Sequence, residues 1–342
     1  MSAGLAETFR DFARREALPT SPLYATLADA IADDEALLAL AARARPGQPR
    51  PNMLFAAVHA LLLGGEGPEL AGHYASLCDG PLPPDGAAPV FRAFCLQHRE
   101  AIAALLESRS VGTNEVARCA VIRAGMAEVL ACSSGPLHVV EAGASAGLLL
   151  LWHRVAVDYG AGLLAGPADG PLRLACASRG TPPPLRIEAA RIASLVGLDL
   201  DPMDLESEAD RRWLLALVWP EHRERGARLE GAIAAARQAG IAALRGDAIA
   251  DLPAVLDGLP HGEAACAFHA FTFNQIPAPL ADRFVAALAQ ASHRRPVFRL
   301  AYEWGERDAP ELLLTAFAGG KARAPRRLAT AEAHGRWIDW AA

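Results

Sequence analysis

The 342 residues include a single lysine, Lys321, so every chemistry that needs a placed lysine has one candidate. No G-x-x-x-x-G-K-[ST] surrounds it, which excludes a P-loop and the nucleotide hydrolysis that goes with it. A pyridoxal Schiff base is disfavoured on the same ground. Positive charge is in deficit: 33 Lys plus Arg stand against 39 Asp plus Glu, for a formal net charge of -6. The basic footprint that neutralises phosphates is missing, and nucleic acid is not an expected partner. The six cysteines form no C-x-x-C and no paired Cys/His cluster. Neither a metal site nor a disulfide framework is therefore expected, and the setting reads as reducing and cytoplasmic. Residues 1–17 are charged and lack the apolar core of a secretory signal. The longest apolar runs, such as Leu54 to Leu63 around His59, fall well short of the roughly 20 residues that cross a bilayer. No membrane partner is expected.

What is present suggests two parts. Apolar residues recur at helical spacing to about Ser134 (Leu23, Leu27, Ala30, Ile31; then Leu37, Leu38), with breakers at Pro46 to Pro49, Gly64-Gly65 and Pro81 to Pro89. This predicts a helical N-terminal region over 1–134. From 135 to 342 the pattern alternates strand and helix. Leu137 to Glu141 is a short β-branched run that ends in Gly143-Ala-Ser145-Ala-Gly147 and continues as an apolar, helix-like Leu148 to Trp152. Further strands are expected at Ser194 to Leu200, Ala242 to Arg245, Ala264 to Phe271 and Val297 to Tyr302. Helices are expected from about Ser207, from Pro220 to Gly240 and from Ala278 to Ser292. A Gly/Pro-rich insertion near 160–190 interrupts the alternation and should carry at most a hairpin. The fold class is α/β with a mostly parallel sheet. Leu312 to Ala318 and Leu328 to the end lack a crossover helix between them and suggest antiparallel strands at one edge.

Open α/β sheets bind ligands at the carboxyl ends of their strands, which directs attention to Gly143–Gly147. The dinucleotide fingerprint G-x-G-x-x-G fails where Ser145 and Leu148 stand. The five residues do match G-x-S-x-G, the elbow in which Ser145 would be an acyl nucleophile, with Asp251 or Glu263 followed by His269 in the required order. However, the residues upstream read as helices and contain no H-G-G oxyanion loop. A third reading is the glycine loop of class I S-adenosylmethionine-dependent methyltransferases: Glu141, Gly143 and Gly147 fit, and Ser145 replaces the central glycine. A tight turn with no ligand is the plain alternative.

The order of later residues supports the third reading. Asp199, chosen over Asp201, would accept the ribose hydroxyls of the cofactor, unless it only forms a turn before Pro202. Asp247, in Arg245-Gly246-Asp247, would accept from the adenine amine, unless it only caps a helix. His269, at the end of the fourth strand, could be a general base or a hydrogen-bonded core residue. Asn274 closes the same segment as a candidate substrate contact. The expected partner is a small molecule.

With these residues the chain resembles, over most of its length, a bacterial family known only as a domain of unknown function, number 2332. The matching passages are Thr113-Asn114-Glu115 with Arg118, Glu141 to Leu148 with Asp158-Tyr159-Gly160, and Gly197 to Pro202 with Asp204. They continue with Arg212-Trp213, Leu217 to Glu221, Arg245-Gly246-Asp247 and Phe268-His269. Leu149 and His153 depart from the pattern. The resemblance implies a Rossmann-like, methyltransferase-type sheet behind a helical region and transfers no reaction. It also directs attention to Asn114, Glu115 and Arg118. Glu115 and Arg118 lie three apart on one helix face, and that face is expected to close over the glycine turn toward a substrate or else to hold a surface ion pair. Thr113 or Asn114 is expected as the N-cap. Trp213 and Trp219 are expected to pack rather than bind.

Overall fold

Prolines stand at the starts of several early helices, where a missing N–H costs nothing. The computed structural model describes residues 2–112, 114–305 and 309–341. Along the chain come α1 (Ser2–Asp11), which runs into a π-helical turn at Phe12–Ala17, then α2 (Pro22–Ala32), α3 (Glu35–Ala41), α4 (Arg50–Leu63), α5 (Pro68–Ala71), α6 (Ala87–Gln97) and α7 (Arg99–Ser108). Asp34 caps α3 by accepting from the Ala36 and Leu37 amides. Ser21 caps α2 through the Tyr24 N–H and donates to Glu221. These helices form one compact unit, residues 1–113 with 206–230. Its core is aromatic: Tyr24 stacks on Phe55 at 4.2 Å, and Trp219 lies 5.5 Å from Phe12. Trp213 is buried and donates its indole N–H to Ser110 O.

The second unit, 114–205 with 231–342, opens with α8 (Arg118–Cys132), which is buried on almost every side. A helix buried on nearly all sides belongs in a core, and α8 lies in the unit of the sheet and not in that of the helices before it. This differs from the boundary expected at 134. The strands follow: β1 (Leu137–Ala142), β2 (Ala156–Asp158), β3 (Leu164–Ala165), β4 (Arg173–Ala175), β5 (Ala177–Gly180) and β6 (Ile192–Asp199). Then come α9 (Glu208–Ala216) in the first unit, α10 (Arg223–Gln238), β7 (Ala243–Arg245), α11 (Leu252–Asp257), β8 (Ala264–Ala270) and α12 (Ala278–Ala291). The chain ends with β9 (Val297–Trp304), β10 (Pro310–Ala318), β11 (Lys321–Ala322), β12 (Arg326–Ala331) and β13 (Trp337–Trp340).

The main sheet runs β7-β6-β1-β8-β9-β10-β12-β13-β5, with β11 paired to β10. β7, β6, β1, β8 and β9 are mutually parallel, and β9, β10, β12 and β13 pair antiparallel. The protein is thus α/β with a large, mostly parallel sheet. From β1 the chain moves to β6 and β7 on one side, then crosses to β8 and β9 on the other. This reversal puts a topological switch point at the carboxyl end of β1, where such sheets open a crevice. One face is packed by α11 and α12 through Val140, Ala142, Leu198, Ala265, Ala267, Leu252, Phe284 and Leu288.

Four expectations change. The stretch after the glycine turn is a six-residue 3-10 turn, Leu148–His153, because the chain enters β2 at Ala156, soon after His153. The insertion carries more than a hairpin: β2, β3 and β4 form a small sheet, and β5 pairs parallel with β13. The antiparallel strands therefore do not end the sheet, since β5 covers them. The helix expected from Pro220 begins at Arg223, with Pro220 in the turn before it.

Candidate functional site

The glycine turn lies at the carboxyl end of β1, and three of its residues, Gly143 (φ 75°), Ser145 (φ 51°) and Gly147 (φ 73°), take left-handed backbone conformations. Glycine does so without strain, whereas serine does not. Ser145 is held there by its neighbours. Its N–H donates to Asp199 Oδ2 at 2.8 Å, and its Oγ accepts from Asn114 Nδ2 at 2.7 Å. Asp199 closes β6, and its other oxygen accepts from the Asp201 N–H at 2.9 Å. The turn that Asp199 makes before Pro202 is therefore real, and the same carboxylate also pins the glycine turn.

The amides of the turn point inward. Gly143 and Ala144 donate to Leu198 O at 2.9 and 3.1 Å, Ala146 to Asn114 Oδ1 at 3.4 Å, and Gly147 to Ala144 O at 2.7 Å. A phosphate needs a row of N–H groups aimed at it, and here these donors are engaged within the protein. The turn suits close approach of a ligand without phosphates.

Glu141, two residues before Gly143, is 2% exposed, and its Oε2 has no hydrogen-bond partner among the described residues. Burial pushes this carboxyl well above the usual carboxylate range, and the nearby Asp199 charge adds to the shift. A raised folded-state pKa in an acid means that the folded form holds the extra proton. The associated stability is present below about pH 4.3, the ordinary glutamate value, and is lost as pH rises through the folded value. Glu141→Gln is therefore expected to melt several degrees above wild type at pH 8, with the gain shrinking toward pH 5. Equal melting temperatures at pH 8 in differential scanning calorimetry would show that the carboxyl is not strained.

Asn114, Glu115 and Arg118 all come to this end of the sheet unit. Asn114 does not cap α8, which begins at Arg118 with no side-chain cap; its amide bridges to Ser145 and Ala146 instead. Thr113 lies outside the described residues. Glu115 and Arg118 are buried, 2% and 7% exposed, which removes the surface ion pair as an explanation. The Arg118 guanidinium lies 4.0 Å over the Phe271 ring and donates to Ala333 O at 2.8 Å.

His269 sits at the end of β8 with no exposed surface. Its Nδ1–H donates to Glu303 Oε1 at 2.6 Å, and its Nε2 accepts from Arg299 Nε at 2.9 Å. Burial lowers the imidazole to about 4, so it is neutral near pH 7. Both ring nitrogens are occupied, so acting as a base would require release of Arg299. Ser145 Oγ meets Asn114 instead of an imidazole. Asp251 accepts from the Asp247 N–H, and Glu263 is bonded to His138. The structure does not bring the three members of the G-x-S-x-G reading together by hydrogen bonds.

Asn274 pairs both its amide groups with the backbone of Trp304, at 2.9 and 3.0 Å, which ties the β8 loop to the end of β9. Asp247 Oδ1 accepts from the Ile249 and Ala250 amides at 2.8 and 3.2 Å in a turn over 248–251; α11 begins only at Leu252, with Asp251 before it, so Asp247 is not the helix N-cap expected as its alternative. The exposed side chains Leu200 and Leu244 stand close in sequence to Asp199 and Asp247.

Sequence reasoning missed Glu303. Besides His269, its carboxylate accepts from the Thr272, Phe273 and Asn274 amides at 2.9, 3.0 and 3.3 Å. Burial opposes its charge, but the His269 contact and the Phe273 and Thr272 amides more than offset that and hold it below the usual range. It anchors a loop in which Phe271 is left-handed (φ 59°) and Thr272 packs on Gly143. Arg299 and Glu303 lie four apart in an apolar strand and share a face. That was the available signal.

The sequence model of a family described as an uncharacterized protein conserved in bacteria, DUF2332, matches residues 6–340. No curated protein and no solved structure matches the chain. No helix among the described residues is long and apolar enough to cross a membrane.

Proposed function

The chain belongs to this DUF2332 family of bacterial proteins, and from that premise we propose that it binds S-adenosylmethionine at the carboxyl end of β1 and methylates a small molecule. The observation that carries the reading is the joint arrangement of the left-handed Gly143–Ser145–Gly147 turn and the Asp199 carboxylate on adjacent strands at the switch point. The parallel order β7-β6-β1-β8-β9 supports a methyltransferase-type sheet.

The residues present fit such a cofactor. The buried Glu141 Oε2 lacks a hydrogen-bond partner among the described residues, the turn amides disfavour phosphate, and the Asp199 carboxylate beside the turn favours a ligand that carries hydroxyl or cationic groups. Glu141, Gly143, Ser145 and Gly147 would hold its methionine side. Asp199, which keeps lone pairs beyond the two amides it serves, would hold the ribose. Asp247 would reach the adenine through Oδ2. When bound, the cofactor supplies an electrophilic methyl group on a cationic sulfur. The chain contributes alignment, which is most of what methyl transfer needs. Asn114, Glu115 and Arg118 would line the acceptor side. His269 and Asn274 would position the β8 loop through Glu303 and Trp304.

The test is a thermal unfolding scan with and without S-adenosylmethionine and S-adenosylhomocysteine. Ligand at about 100 times its dissociation constant adds roughly 2.7 kcal/mol, which corresponds to a rise of roughly 5–10 °C for a domain of this size. Asp199→Ala should abolish most of that rise. No shift with either compound at millimolar concentration would overturn the reading.

A further inference from the structure

At the opposite, amino end of the sheet, three adjacent parallel strands each bring one polar residue to a common point. His138, near the start of β1, is paired with Ser194 of β6 and Ala265 of β8. Its Nδ1 lies 2.7 Å from Ser194 Oγ, and its Nε2 lies 2.6 Å from Oε2 of Glu263, the residue before β8. A ring nitrogen facing a carboxylate carries the proton, so Nε2–H donates to Glu263 and Nδ1 is left to accept from the Ser194 hydroxyl. These are the three groups, hydroxyl, imidazole and carboxylate, of the chain that activates a serine, joined here with the roles of the two ring nitrogens exchanged.

The backbone is shaped around it. The β1–β6 register slips between Leu137 and His138, so that Leu137 faces Ile192 while His138 faces Ser194. The extra residue, Ala193, forms a bulge of the kind that re-aims a side chain. The pairing of β7 on β6 begins only at Gly197, so β6 from Ala193 to Val196 has no strand partner on that side among the described residues. Ser194 is half-buried, and the Glu263 side chain is 31% exposed, whereas His138 is 7% exposed. The serine can be reached while the base is shielded.

We infer that Ser194, His138 and Glu263 form a second site, separate from the glycine turn, that hydrolyses small acyl esters. In the first step Ser194 Oγ bonds to the acyl carbon while its proton passes to His138 Nδ1, with Glu263 holding the resulting imidazolium. The bond from carbon to the leaving oxygen then breaks, and that oxygen takes the proton from Nδ1. Water then gives a proton to the same nitrogen and its oxygen bonds to the acyl carbon; the bond from that carbon to Oγ breaks, the acid leaves, and Oγ takes the proton back from Nδ1. Ser194 is the nucleophile, His138 the base and Glu263 a positioning residue.

The experiment treats the full chain with a fluorophosphonate, maps the adduct by peptide mass spectrometry and follows the labelling rate against pH. The expected result is an adduct on Ser194 that is absent in Ser194→Ala, a substitution small enough to leave the melting temperature nearly unchanged. Glu263→Gln should slow labelling at pH 7 at least tenfold and displace its pH midpoint. A role in strand register alone would move the melting temperature and not the pH profile. No adduct on Ser194 under conditions that label a control esterase, or an adduct that persists in Ser194→Ala, would overturn the inference. Neither result bears on the cofactor shift at the other end of the sheet.

Discussion

Glu303→Ala is expected to lower the melting temperature by roughly 10 °C, one of the largest effects available from a single side chain in this protein. The carboxylate accepts from His269 Nδ1 and from three successive amides of the β8 loop. Truncation leaves a fully buried imidazole N–H and the partly buried Thr272 and Phe273 amides without an acceptor, the Asn274 amide being exposed to water. Breaking a buried charged network by removing one partner costs about 3–5 kcal/mol, and each kcal/mol shifts a domain of this size by about 2–4 °C. Glu303→Gln keeps one acceptor oxygen and should lose less than half as much. Because His269 and Glu303 act as a unit, their alanine substitutions should be strongly non-additive in a double-mutant cycle. Glu303→Ala should also reduce the cofactor-induced shift, since Thr272, which the carboxylate fixes, packs on Gly143. A loss of under 2 °C would show that the loop is held by something else.

Gly335→Ala should come second, costing roughly 2–5 kcal/mol. Gly335 has φ 75°, and a Cβ there would stand 2.5 Å from Ala117 O, 2.7 Å from Ala117 C and 3.0 Å from Arg118 N. The left-handed conformation alone costs an alanine about 1–2 kcal/mol. Overpacking adds about 1–3 kcal/mol, and the atoms in the way are backbone at the start of α8, which cannot rotate aside. Gly262 provides the matched control: it is also left-handed, at φ 81°, but nothing lies within 4 Å of its Cβ position. Gly262→Ala should therefore show the conformational cost by itself. If urea denaturation gave the two variants equal midpoints, close packing between the C-terminal turn and α8 would not be a source of stability. The displacement would reach the site through Arg118, which opens α8 and covers Phe271.

The order of strands and helices was legible along the chain because hydrophobic period and glycine or proline breaks are local properties. The glycine turn, Asp199 and Asp247 could be found for the same reason, each being a short motif at the end of an apolar run. Glu303 was not found, since a carboxylate in a strand gives no sign of which amides it will meet. Nor was the His138 chain, whose members are 56 and 125 residues apart in sequence.

The sequence by itself determined the α/β class, the parallel central strands and the position of the left-handed turn, because these follow from side-chain period and from where glycine is required. Only the tertiary structure decided that α8 belongs to the sheet, that β5 from the insertion covers the antiparallel strands, and that Asn114 holds Ser145. It alone decided that His269 is committed to Glu303 and Arg299. These depend on which distant backbone and side-chain groups are brought within about 3 Å of one another, the range over which a hydrogen bond forms, and no spacing along one chain encodes that distance.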